Sequence, residues 1–164
     1  MRSRGPTLNL LFEEARFSLE RDGDGVIRDA FAGTIVLVLH DMLAGYWRES
    51  GGSRAQWKRA TPSFGGYSFP QVLAAALDNY RHFTDWDAQK PATLAQMRSV
   101  RVLAGVLDIP VKKAAKRPAF RGNVCWAVLE RLTDRGGYTR LDALVRESAQ
   151  TLASEEFNPQ LSPA

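Results

Sequence analysis

Apolar positions recur at helical spacing along most of this 164-residue chain. Leu8, Leu11, Phe12, Ala15 and Leu19 fall on one face of a first segment that Pro6-Thr7 introduces and that reaches Arg21. Spacing by threes and fours puts such a stripe on one side of an α-helix. Asp22-Gly-Asp-Gly25 then breaks the pattern, which resumes over 26–49. There Phe31, Ile35, Val38, Met42 and Tyr46 line one face, and Val36, Leu43 and Trp47 the next. A helix apolar over most of its circumference belongs in the middle of a helical assembly.

Residues 51–67 hold Gly51-Gly52, Pro62 and Gly65-Gly66 around Trp57, and this density of breakers predicts a long loop. Ser68 supplies an N-cap and Pro70 a first-turn proline for a third helix, running to Asp87. A fourth opens near Thr93 and ends before Ile109-Pro110, because the residue before proline avoids the α region. Asn123 caps a fifth that stops at Gly136-Gly137. Thr139-Arg-Leu-Asp142 resembles a capping box and opens a sixth, to Phe157. No segment reads as a strand. The expected fold is all-α, an antiparallel bundle of four core helices with a C-terminal helical hairpin. A single domain covers 1–164, with its ordered core over 8–157 and a frayed tail over 158–164.

Composition fits this picture: 45% of residues are hydrophobic and 24% charged, both globular values. Cys125 is the only cysteine, which excludes an internal disulfide and every zinc motif built on cysteine pairs. No apolar run approaches the length of a membrane span, and the basic N-terminus is not followed by a signal-peptide core. The expected location is the cytoplasm, with no membrane partner. The net charge of +4 is uneven. Residues 1–47 carry five basic and seven acidic side chains, whereas 112–140 carry eight basic ones against Glu130 and Asp134. Lys112, Lys113, Lys116, Arg117 and Arg121 head that stretch and are the expected nucleic-acid contacts, through phosphate. A solvated surface is the plainer alternative.

Chemistry concentrates in the third helix. Asp22 to Gly25 fits a calcium loop poorly, since Phe31 falls where a bidentate carboxylate is required. The chain has no phosphate-loop ending, no Gly-x-Ser-x-Gly elbow and no His-Glu-x-x-His, so neither metal nor cofactor is expected. Asp78, His82 and Asp85, spaced by four and three, share a helix face, and Arg81 is within reach of both carboxylates. Metal-independent RNA cleavage needs these parts: a base for the ribose hydroxyl, an acid for the leaving oxygen and a cation for phosphoryl charge. Exposed ion pairs on a solvated face are the alternative. His40, the other histidine, has the apolar helix neighbours Val36, Leu43 and Trp47, and approaches His82 if the second and third helices pack side by side. Cys125 reads as a small core residue. Trp126 falls with Glu130 and Thr133, away from that core, as a candidate base-stacking contact.

The stretch Leu77-Asp-Asn-Tyr-Arg-His-Phe-Thr-Asp-Trp86 resembles a segment of small bacterial all-helical proteins of the HEPN type. Asn79, Arg81, His82 and Trp86 carry the resemblance. It implies a helical bundle acting on or near RNA in a defence or toxin-type system, as a metal-independent ribonuclease or an inactive relative. Asp78, Arg81, His82 and Asp85 would then be the catalytic set, with RNA, a co-encoded protein or a second copy of the chain as partner. The family's ribonucleases set an arginine more than a turn ahead of the histidine. Ala75, Ala76 and Leu77 occupy those positions here, and Arg81 directly precedes His82, about 100° away around the helix. A protein-interaction module and a helical bundle binding a small ligand between the second and third helices are the alternatives.

Overall fold

Reciprocal capping boxes start three of the helices. Ser53, Ser68 and Thr93 each accept the backbone N–H three residues on, and the glutamine there (Gln56, Gln71 or Gln96) accepts the cap's own N–H. Each box satisfies donors that a helix start otherwise leaves unpaired. The computed structural model describes residues 10, 13–14, 25–86, 93–110, 120, 122–134 and 137–154. Among them it is mostly helical: α1 (Gly25–Glu49), α2 (Arg54–Arg59), α3 (Phe69–His82), α4 (Leu94–Val106), α5 (Cys125–Thr133) and α6 (Gly137–Ser154). Leu10, Glu13 and Glu14, from the expected first helix, are helical, and the rest of that segment lies outside the described residues, as does the Asp22–Asp24 break.

The expected loop over 51–67 is ordered. It contains α2 and a minimal antiparallel hairpin, β1 (Ser63–Phe64) on β2 (Tyr67–Ser68), with Ser63 opposite Ser68 and Phe64 opposite Tyr67. The strand-free expectation is corrected by this one pair. Its physical reason is the turn: Gly65 and Gly66 both adopt positive φ, at 57° and 82°, as a two-residue hairpin loop demands. Space requires glycine too, because a Cβ on Gly65 would lie 2.4 Å from the Gly105 backbone in α4.

Helix ends differ from the pattern at three places, in α3, α5 and α6, while α4 ends before Ile109-Pro110 as expected. α3 stops at His82 rather than Asp87, because the His82 carbonyl accepts the N–H groups of both Asp85 and Trp86. That turn folds Trp86 into the core, where it is 2% exposed. α4 ends at Val106, and its last turn closes with the Leu107 N–H on the Leu103 carbonyl. α5 terminates at Asp134 in the left-handed region (φ 46°), ahead of Gly136-Gly137. α6 starts at Gly137, so Thr139 and Asp142 lie inside the helix and do not form the capping box that opens it.

α1 is central, packing on α3, α5 and α6, while α3 also packs on α4. Ile35, Val36, Leu39 and Leu43 from α1 meet Phe69, Leu73 and Leu77 from α3, with Leu103, Leu129, Leu132, Leu141 and Leu144 completing the core. Gly33 permits the closest α1–α3 approach: a Cβ there would sit 2.1 Å from the Tyr80 ring. Trp47, fourteen residues on, shares a cleft with Gln71 and Ala75, so the two helices run in opposite directions. No helix among the described residues is long and apolar enough to cross a membrane.

Candidate functional site

Helix α3 holds the four residues that the sequence groups as catalytic. Of their pairings only one forms: His82 Nδ1 lies 3.5 Å from Asp85 Oδ2, with the two side chains 52% and 72% exposed. Arg81 is exposed and reaches neither Asp78 nor Asp85. Asp78 is half-buried, and its Oδ2 has no partner among the described residues. The histidines do not meet. His40 Nδ1 lies 3.3 Å from Asp41, and its ring packs edge-on against Trp57 at 6.1 Å. Because Gly33 lies against Tyr80 and the helices are antiparallel, His40 sits two turns from that contact, about 10 Å away and in the direction opposite to His82.

Asn79, one of the residues that carry the resemblance, is fully buried. Its Nδ2 donates to the Gly122 carbonyl (3.2 Å) and its Oδ1 accepts the Val124 N–H (2.9 Å). Asn123 extends the seam, donating to the Asp29 carbonyl and accepting the Cys125 N–H, both at 2.8 Å. The two asparagines thus tie the start of α5 to α3 and α1. Cys125 is buried as expected, its thiol donating to the Ala76 carbonyl at 3.4 Å. Burial pushes that thiol up to about 12, with a smaller contribution from the Asp29 charge. Trp126 corrects the expectation of a stacking contact: it is 7% exposed, with the Arg28 guanidinium over its ring at 5.8 Å. The helix period put it opposite the core because α5 is clasped on more than one side. Lys112, Lys113, Lys116, Arg117 and Arg121 lie outside the described residues.

The site that sequence reasoning missed is a cleft of about 610 Å³ between the end of α1, α2, α3 and α4. Trp47 and Trp57 form one wall, their rings 5.2 Å apart and tilted by 57°. The Trp57 ring packs between Trp47 and His40. Trp47 donates through Nε1 to the Ser53 carbonyl (3.0 Å) and lies over Gly52, where a Cβ would be 2.0 Å from the ring. The Trp57 carbonyl accepts the Ser68 hydroxyl at 2.7 Å, so the residue that caps α3 also anchors α2. Arg54 and Lys58, one turn apart on α2, line the cleft together with Arg98 of α4, all three exposed. Among the described residues no acidic side chain lines the cleft, and none of these three cations has an ion pair. Gln71 and Ser99 add neutral polar groups to walls completed by Ala74, Ala75 and Val102. Gln71 spends its oxygen on Ser68, and its amide N–H₂ has no partner among the described residues.

The missed signal was Ser53-x-x-Gln56, the same box that opens α3 and α4. Once α2 is recognised, Arg54, Trp57 and Lys58 fall on one helix face by their spacing of three and four. A second cavity, of about 510 Å³, has Arg101 and Asp108 on its walls, but Asp108 is engaged by Arg131. Among the described residues no group of His, Cys, Asp and Glu is placed to hold a metal ion. No protein-family model matches the chain, and neither the curated proteins nor the solved structures compared with it include a match.

Proposed function

We propose that this protein is a small-ligand-binding helical module whose α1–α4 cleft takes an anion bearing a flat, apolar group. The carrying observation is the pairing of three uncompensated cations with two fixed indoles in one concavity. Concave sites of this size, mostly apolar with a few convergent polar groups, are where small ligands bind. Guanidinium and ammonium groups without a carboxylate partner favour an anion. Indole faces favour a flat group, and their fixed rotamers keep the ordering cost of binding low. This function sits on the expected antiparallel arrangement of four core helices with a C-terminal hairpin.

Titration with phenyl phosphate and benzoate, read by quenching of tryptophan fluorescence and by calorimetry, tests the proposal. Binding should disappear in an Arg54→Gln, Lys58→Gln, Arg98→Gln variant that melts like wild type. Equal binding by wild type and the triple variant would refute it.

RNA remains a second reading, because cations around exposed aromatic faces also suit an unstacked base and its phosphate. It retains the HEPN-type expectation, the basic stretch at 112–121 and the α3 set as its elements. A short single-stranded RNA that binds with a steep salt dependence, reduced in the same triple variant, would favour it over a free small ligand.

A further inference from the structure

Resting on the cleft reading above, we infer that its ligand is a phosphate monoester carrying a planar heteroaromatic ring. Charge selects the anion. A single carboxylate brings one negative charge to a cleft lined by Arg54, Lys58 and Arg98, with no acid among the described lining residues. A phosphate monoester brings close to two at neutral pH, with three acceptor oxygens. Arginines on two separate helices can each present a planar donor fork to those oxygens, a geometry that suits phosphate better than a lone carboxylate.

Neutral polar groups select the ring. The Gln71 amide N–H₂ is without a partner among the described residues, and the half-buried Ser99 lines the same cleft. A plain hydrocarbon ring stacked on Trp57 would cover both groups and leave them unpaired, which penalises binding. A ring with nitrogen or oxygen acceptors on its edge accepts from them while still offering a face to the indoles. Nucleotides and pyridine phosphates share this chemistry, and the probes distinguish them as sources.

The experiment titrates the full chain with adenosine 5′-monophosphate, pyridoxine 5′-phosphate, phenyl phosphate, benzoate and adenosine. At least one heteroaromatic phosphate should bind about tenfold tighter than phenyl phosphate, and phenyl phosphate about tenfold tighter than benzoate. Ser99→Ala should erase the first advantage and leave phenyl phosphate unchanged. Arg98→Gln should weaken every phosphate and leave adenosine unchanged. Phenyl phosphate matching both heteroaromatic phosphates would overturn the ring assignment while the flat-anion reading stands. Benzoate matching phenyl phosphate would overturn the phosphate assignment in the same way. Failure of every anion to bind would remove both readings together.

Discussion

The amide of Asn79 holds the backbone at Val124, accepting its N–H at 2.9 Å while donating to the Gly122 carbonyl two residues earlier. One side chain in α3 thus does for the start of α5 what a local cap does elsewhere, since α5 has no side-chain cap from its own N-cap residue. Asn79→Ala leaves a donor and an acceptor without partners in a part-buried seam. We expect a loss of about 1–3 kcal/mol, read from urea denaturation midpoints. Asn79→Asp keeps the acceptor and should recover part of it.

Gly33 should reverse the usual sign of a helix substitution. In an open helix, Gly→Ala stabilises by about 1 kcal/mol. Here the new methyl carbon would lie 2.1 Å from the Tyr80 ring, so the ring or the helix must move. Gly33→Ala is expected to destabilise by about 1–3 kcal/mol, as overpacking does. A Tyr80→Ala partner substitution should remove most of the penalty in a double-mutant cycle.

Cys125 gives the protein an alkaline weakness. Its thiol is raised from 9.0 to about 12, chiefly by burial. Below pH 9 both folded and unfolded chains keep the proton, and the group imposes no cost. Between pH 9 and about 12 the unfolded chain releases the proton while the folded one retains it, so stability falls by up to about 1.4 kcal/mol per pH unit. Urea midpoints at pH 8 and pH 10.5 should therefore drop further for wild type than for Cys125→Ala. At neutral pH the thiol should react with an aromatic disulfide reagent only as fast as the fold opens.

His82 is lightly held. Its partner Asp85 stands at 3.5 Å with both side chains largely in solvent, so their pairing contributes little. His82→Ala should shift stability by no more than about 0.5 kcal/mol in a thermal melt. An RNA-cleavage assay on the same variant then reads chemistry alone: cleavage lost with the melt unchanged would assign His82 to it.

Periodicity located α1, α3, α4, α5 and α6 because each runs long enough to repeat its apolar stripe. It missed α2, which has six residues and buries none, so no stripe exists to find. It also misplaced Trp126, since a wheel drawn for one buried face fails where neighbours clasp a helix on several sides. The role of Asn79 was not legible because the demand it meets comes from backbone more than forty residues later. The cleft was illegible for a related reason. Arg98 joins Arg54 and Lys58 only after α4 packs on α3, a contact that no local spacing encodes.

Gly65 and Gly105 meet backbone to backbone, with the Tyr67 ring of the hairpin also against Gly105. Distance there is set by the main chain. Across the opening, α2 carries no buried residue and is held through its ends, by Ser53 and by the Ser68 hydroxyl on the Trp57 carbonyl. The cleft therefore has one fixed jaw and one replaceable jaw. Exchanging the exposed Arg54 or Lys58 leaves the core undisturbed, so under the proposed function ligand preference can drift in descendants of this sequence while the fold stays as it is.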